Sequence, residues 1–390
     1  MHDIVIVAAT RTPQGRLQGA LSSFSAPQLG ALAIRGALER SHIDPAAADA
    51  VIMGQVLPAG SGQNPARQAA LGAGIGWDVP AHSVNKVCLS GLTAVIDAAR
   101  MIAVGDAEVV VAGGMESMSQ APHLMKGSRA GWKYGSVELL DHMAHDGLTD
   151  AYDGESMGLS TERHNPRFAV TREDQDRVAA LSHQRAAAAQ ELLAEEIVPV
   201  EVPQRRGDPL VVTADEGIRP ETTLESLARL RPAFTEGGTI TAGSSSQISD
   251  GAAALVLTTR ARAETEGWPV LAALGASGQT AGPDSSLQAQ PADAITRALA
   301  KQGIAASDLD LVEINEAFGA VVAHSQRALG LSEEIVNLHG GGIAIGHPIG
   351  ASGARLVVHA AHELARRGAG TAAVALCGGG GQGEALLLIR

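Results

Sequence analysis

Two stretches far apart in the chain repeat one another. Arg35–Gly54 reads RGALERSHIDPAAADAVIMG and Thr296–Asn315 reads TRALAKQGIAASDLDLVEIN; Ala37/Ala298, Leu38/Leu299, Ile43/Ile304, Asp49/Asp310 and Val51/Val312 are each 261 positions apart. In both, a helical period ends near a turn and a short apolar strand follows. A second pair of blocks agrees. Ser90-Gly91 opens an apolar helical stretch to Val104, Gly105 breaks it, and Val109–Ala112 runs into Gly113-Gly114; Ser352-Gly353 opens a helix to Arg367, Gly368 breaks it, and Ala373–Leu376 runs into Cys377-Gly378-Gly379. From 90 to 352 the spacing is 262, within one residue of the first. A chain with this pattern is two copies of one α/β unit.

Each copy reads as strands alternating with helices around a buried sheet, because the strands are continuous apolar runs without polar alternation. The expected division is residues 1–120 plus 250–264 for the first half, 121–249 for an inserted lobe and 265–390 for the second half. The lobe holds His123, Lys126, Arg129, Lys133, His142, His145, Arg163, His164, Arg167 and Arg172, with few apolar strands. Gly251–Thr258 (GAAALVLT) returns to strand character and is expected to complete the first sheet. A helix around Glu173–Glu196, rich in Ala, Gln, Glu and Arg, is expected to form an exposed face of the lobe.

Composition narrows the class. With 45% hydrophobic and 18% charged residues, the 390-residue chain is globular rather than disordered. A net charge of −13 and 2% aromatic residues argue against a nucleic-acid binder, which needs a basic face and stacking platforms. An anionic substrate would need a local basic patch. No apolar run is expected to reach the roughly 18 residues of a membrane span, and Met1-His2-Asp3 before Ile4–Val7 lacks the regions of a signal peptide. The expectation is a cytoplasmic protein without membrane partners, its two cysteines reduced.

Cys88 stands in VNKVCLSGL between a strand and a helix start, where free N–H groups and the helix dipole are expected to lower its pKa and make it a nucleophile. The plainer reading is a small buried hydrophobe. His347, in GGGIAIGHPIGASG, lies three residues before position 350, the repeat equivalent of Cys88, so a pseudo-twofold axis can bring imidazole and thiol together. Cys377 opens a glycine run whose N–H groups could line an oxyanion site; a core cysteine and a flexible turn are the alternatives. A zinc site from Cys88, His347 and Cys377 lacks the paired close spacing of structural zinc ligands. No dinucleotide or P-loop glycine motif is in place. Asn315, closing the strand Leu311–Ile314 in NEAF, could hold a water or carbonyl, or serve only as a turn residue.

Together VNKVCLSGL, NEAF, NLHGGGIAIGHPIGASG and ALCGGGGQG resemble the thiolase family across nearly the whole chain, and most of all its acetyl-CoA acetyltransferase branch. The resemblance implies a fold of class α/β, two related five-stranded halves in five αβαβα layers, with an inserted loop domain that receives coenzyme A. It implies that Cys88 takes the acyl group as a thioester, His347 activates it, and Cys377 moves a proton at the methyl carbon of the second acetyl-CoA. Asn315, through a water, and His347 would polarise that second thioester. The backbone N–H groups of Cys88 and Gly379 would form the acyl oxyanion hole. Ser246, Ala242, Met157 and Phe318 would line the pantetheine and acyl path, with Arg219 near the nucleotide end. Related ketoacyl synthases use His pairs or His and Asn beside one Cys, so Cys377 separates the two groups.

The implied activity joins two acetyl-CoA into acetoacetyl-CoA and CoA in a homo-oligomer, dimer or tetramer, with no metal or redox cofactor. The alternatives are a degradative 3-ketoacyl-CoA thiolase and a non-catalytic acyl-CoA binder. One departure concerns Ser156-Met157-Gly158, where many short-chain members have His-Met-Gly. The stretch Met125–Gly135 loosely resembles the loop through which tetrameric members join dimers.

Overall fold

Both copies of the repeat build the same strand order in the computed structural model, which describes residues 3–390. The first half contributes β1 (Ile4–Arg11), β2 (Ala50–Gly54), β3 (Ala81–Val84), β4 (Val109–Ser117) and β5 (Ser249–Thr259); the second contributes β6 (Ala272–Ala281), β7 (Leu311–Ile314), β8 (Thr371–Gly378) and β9 (Gln382–Ile389). The strands lie in the order β7-β8-β9-β6-β1-β5-β4-β2-β3. Among the described residues, the two half-sheets join where Val5 and Ile6 pair with Ala273 and Ala272. In the first half β3, β2 and β4 run parallel at one end and β4, β5 and β1 antiparallel at the other; in the second, β7 and β8 run parallel and β8, β9 and β6 antiparallel.

The second half departs from five strands. Its fifth position is a single bridge between Val312 and Val336. Beyond the bridge, the Asn337 side chain accepts from Ile314 N–H at 2.8 Å and donates to Ile314 C=O at 2.9 Å. One amide thus satisfies backbone groups that a strand would otherwise pair.

Helices α1 (Ala26–Arg40), α2 (Pro65–Gly72) and α3 (Ser90–Val104) serve the first half. In α1 a Ser25/Gln28 capping box supplies the start, and α3 stops at Gly105, whose φ of 81° is the left-handed cap a glycine allows. Helix α3 and its repeat mate Ser352–Arg367 form one central layer. Leu92, Val95 and Ile96 meet Leu356, Val357 and Leu364 there, between Val110 and Leu255 of the first sheet and Val374 and Leu386 of the second. The outer layers are α1 with α2 on one side, and Gln290–Gln302 with Gly319–Leu329 on the other. This makes five layers. Val87–Val104 is apolar enough over 18 residues to pass for a membrane span, contrary to the expectation that no run would reach that length. Its apolarity is explained by position: it runs through the core between two sheets.

The inserted lobe leaves the sheet after Ser117 and returns at Ser249, residues adjacent to partners in the β4–β5 ladder, where Ser117 pairs with Asp250. In the second half the equivalent β8–β9 connection is only Gly379–Gly381. Lobe residues Leu148, Met157 and Ser246 reach the cavity that Cys377 lines. Arg11, fully buried, fastens it by donating to Glu196 and bidentately to Asp215.

The lobe helix expected over Glu173–Glu196 is two helices, α4 (Met157–His164) being followed by α5 (Arg172–Ala188) and α6 (Gln190–Glu196), broken at Ala189. Helix α5 does present Glu173, Arg177 and Gln184 to solvent, but its other side, with Gln175, Asp176, Ala179, Ala180, Ser182 and His183, is buried. Hydrogen bonds make this possible, Ser182 to Glu316 at 2.6 Å and Gln175 to Thr239 at 2.9 Å, and a hydrophobic pattern does not register them.

Candidate active site

Cys88 sits two residues before α3, on a turn held by hydrogen bonds from Leu89 N to Lys86 O and from Ser90 N to Val87 O. Val87, a β-branched residue, adopts φ 52°, a conformation such side chains rarely take. The Asn85 side chain accepts from Val87 N at 3.0 Å and Ser90 Oγ from Lys86 N at 2.8 Å, so polar contacts on both sides hold the strained turn. The thiol accepts from the N–H groups of Gly379 and of Cys88 itself. Burial nevertheless outweighs these bonds and pushes the Cys88 pKa up to about 11, the reverse of the lowering expected from the helix start. Two N–H groups do not replace the lost water. A thiol in this state needs a neighbouring base.

His347 supplies a candidate. Ser352 Oγ donates to Pro348 C=O at 3.0 Å, so its oxygen accepts from His347 Nδ1 at 2.5 Å. This assigns the proton to Nδ1 and leaves Nε2 with a lone pair. Burial first, and then Arg355, hold the His347 pKa down to about 3, so the ring is neutral over the working range. Asn315 Nδ2 lies 3.4 Å from Nε2, and Asn315 Oδ1 is buried with no hydrogen-bond partner. A buried acceptor left without a partner is a group that a bound water can satisfy.

Cys377 is the penultimate residue of β8, just before the glycine turn. Burial, and then the neighbouring Cys88, push its thiol well above the ordinary range. Cys88, His347, Cys377, Gly379, Met157 and Phe318 line one narrow cavity of about 60 Å³. It continues into a mostly apolar chamber of about 250 Å³ walled by Ser156, Met157, Phe234, Ser246, Phe318 and Ile349. Tunnel and chamber share Leu148, Met157, Ser246, Phe318, His347 and Ile349.

The structure thus brings Cys88, His347, Cys377, Gly379, Met157, Ser246 and Phe318 to one tunnel, with Asn315 against the imidazole. Ala242 and Arg219 are exposed and line neither space. Arg219 lies beside His183: its N–H donates to His183 Nδ1 at 3.1 Å, and burial and then the Arg219 charge hold the His183 pKa down to about 4. The sequence reading passed over Ser352 as an orienting group, although its spacing of five from His347 across a Pro was visible. It also passed over Leu148 and Ile349, which carry no chemical signature.

The chain matches the family model of the thiolase N-terminal domain over residues 4–261 and that of the thiolase C-terminal domain over residues 268–390. It belongs to the thiolase family. A probable acetyl-CoA acetyltransferase of Mycobacterium tuberculosis is 57% identical over 390 residues, covering 100% of this chain and 99% of that protein. An acetyl-CoA acetyltransferase of Pseudomonas aeruginosa is 50% identical over 393 residues, covering 100% of both. The crystal structure of the Bacillus anthracis acetyl-CoA acetyltransferase matches with a TM-score of 0.96 at 38% identity, over 100% of this chain and 99% of that one.

Proposed function

We propose that this chain is an acetyl-CoA C-acetyltransferase that condenses two acetyl-CoA into acetoacetyl-CoA and CoA, and catalyses the reverse thiolysis. The observation that carries the reading is the pair of sulfurs, Cys88 and Cys377, in one apolar cavity with a neutral imidazole. A Claisen condensation needs a nucleophile that can also leave, and a separate base for a weakly acidic carbon.

In the first half-reaction His347 Nε2 takes the Cys88 proton and the sulfur attacks the thioester carbonyl. The CoA sulfur departs with the Cys377 proton, leaving an acetyl-Cys88 and a Cys377 thiolate. In the second, that thiolate takes a methyl proton from the incoming acetyl-CoA, and the carbanion attacks the acetyl carbonyl. Cys88 leaves and recovers its proton from His347. Both thiols and the imidazole are restored. The N–H groups of Cys88 and Gly379 hold the acyl oxyanion, while protonated His347 and an Asn315-bound water hold the enolate-like oxygen. Ser246, Met157 and Phe318 guide the pantetheine arm, with Ala242 and Arg219 outside toward the nucleotide. No metal or redox cofactor enters the scheme, and the reading carries the expectation of a cytosolic homo-oligomer.

The test is intact-protein mass after brief mixing with acetyl-CoA, followed by peptide mapping. An added acetyl group on Cys88 supports the reading; an unlabelled protein that still binds CoA overturns it in favour of a binding protein. The 250 Å³ chamber, with small Ser156 in its wall, favours a second reading as a degradative thiolase for longer chains. Thiolysis rates along a series of lengthening 3-ketoacyl-CoA substrates separate the two.

A further inference from the structure

Two carboxylates outside the proposed chemistry are fully buried, and each crosses from one half of the molecule to the other. Glu116, near the end of β4 in the first half, accepts three backbone N–H groups: Val56 at 2.9 Å, Leu57 at 3.1 Å and Gly350 at 3.0 Å. Gly350 lies three residues past His347, in the second half. Glu384, on β9 of the second half, accepts from Lys86 Nζ at 3.1 Å and from Thr93 Oγ1 at 2.5 Å, both in the first half, and from Gln279. Lys86 and Thr93 bracket Cys88. Both carboxylates have no exposed surface.

The pattern is reciprocal. The turn that carries His347 is tied by a carboxylate from the half that carries Cys88, and the turn that carries Cys88 by one from the half that carries His347 and Cys377. Glu384 pairs across the ladder with Leu376, next to the Cys377–Gly383 pair, so it links both flanks of Cys88 to the strands that place the second sulfur. Glu116 faces backbone N–H groups and no cation, and the Glu384–Lys86 pair, its lysine only partly buried, is a weak source of net stability because desolvation offsets much of the attraction; in both ties the directional bonds fix geometry.

We infer that Glu116 and Glu384 are positioning residues that set the spacing of Cys88, His347 and Cys377 across the junction of the two halves. Glu384 governs the placement of Cys88 against Cys377. Glu116 governs the placement of the His347 turn against the loop beside Cys88. A displacement on the order of 1 Å in such a site lowers rate by roughly a hundredfold, so loss of either tie shows in the rate of bond formation before it shows in binding.

The inference rests on the proposed roles of Cys88 and His347, and its test keeps the two separable. Glu384→Gln, Thr93→Val, Lys86→Met and the double variant Lys86→Met/Glu384→Gln are compared with the parent for burst acetylation by acetyl-CoA, for CoA affinity and for melting temperature. The expected result is acetylation roughly tenfold to a hundredfold slower in Glu384→Gln, partly reproduced by Thr93→Val and Lys86→Met, with CoA affinity within about twofold. The double variant is expected to be no slower than its worse parent, because both changes cut one tie. Glu116→Gln is expected to slow acetylation likewise, by presenting an amide N–H to backbone N–H groups.

Unchanged acetylation in folded Glu384→Gln overturns the inference, and so does a rate loss matched by an equal loss of CoA affinity. If Glu384→Gln does not fold, Thr93→Val and Lys86→Met decide on the same criteria. If the parent itself is not acetylated, the functional reading fails. The ties are then judged by the iodoacetamide labelling ratio of Cys88 to Cys377, which Glu384→Gln must change for the inference to stand.

Discussion

His347 donates through Nδ1 to Ser352 Oγ at 2.5 Å, a hydroxyl that in turn donates to Pro348 C=O. The serine opens the central helix of the second half, so a helix start of the repeat sets which imidazole nitrogen is the base. Ser352→Ala removes the acceptor and frees the ring to change tautomer. The expected outcome is a kcat roughly tenfold to a hundredfold lower with little change in KM, part of the 10²–10⁴ that a positioned base contributes. Steady-state kinetics check it, and an unchanged kcat would show that Ser352 only caps the helix.

The two pKa displacements at the site make a joint prediction for the free protein. Cys88 is pushed up to about 11 and His347 held down to about 3. The thiolate is the reactive form. Iodoacetamide labelling of Cys88 is therefore expected to climb about tenfold per pH unit through neutrality toward pH 11, with no step near 6.5. A plateau reached below pH 8 would mean a thiolate–imidazolium pair and would overturn the neutral assignment.

Cys377→Ala separates the two sulfurs. The variant is expected to acetylate Cys88 yet form no acetoacetyl-CoA, and to lose exchange of the acetyl-CoA methyl protons with deuterated water. Mass spectrometry and proton NMR read the two halves independently. Normal condensation by this variant would remove Cys377 from its role as base.

Glu313 is buried with neither carboxylate oxygen hydrogen-bonded, 3.9 Å from both Arg355 and His359. Burial raises its pKa from the ordinary 4.5 to about 7. The folded chain thus holds this proton more tightly than the unfolded chain. Its contribution to stability is full below pH 4.5 and is lost as pH rises through 7, at about 1.4 kcal/mol per unit of displacement. Glu313→Gln, which cannot ionise, is expected to gain in melting temperature relative to the parent between pH 5 and pH 8. A difference that is flat or shrinking over that interval would contradict the assignment.

The duplicated architecture was legible because helix breakers and apolar strands recur at nearly one spacing, and Gly105 and Gly368 end equivalent helices within two residues of where the repeat places them. The convergence of Cys88 and His347 followed from that symmetry alone. What escaped the reading was carried by polar side chains acting as backbone. Asn337 stands in for a strand, and Ser182, Gln175 and Asp176 bury one side of a helix whose composition suits solvent. The sign of the Cys88 shift escaped for a related reason: a helix start is visible in a sequence, whereas the loss of water around a sulfur depends on residues as distant as Leu148, Phe318 and Gly379.

The central helices begin in backbone contact. A Cβ on Gly91 would lie 2.8 Å from Ala354 N, and one on its repeat mate Gly353 would lie 2.4 Å from Leu92 N. No cleft separates the halves at the chemistry, so the hinge closure by which many two-lobed enzymes expel solvent is closed to this architecture. Dryness at the sulfurs comes from the apolar walls of the tunnel, to which the inserted lobe contributes Leu148, Met157 and Ser246, so that breathing of the lobe is what admits a thioester or releases a product. Substrate range therefore answers to lobe residues such as Ser156, Met157 and Phe234, while the bond-making parts stay anchored on two helices in backbone contact.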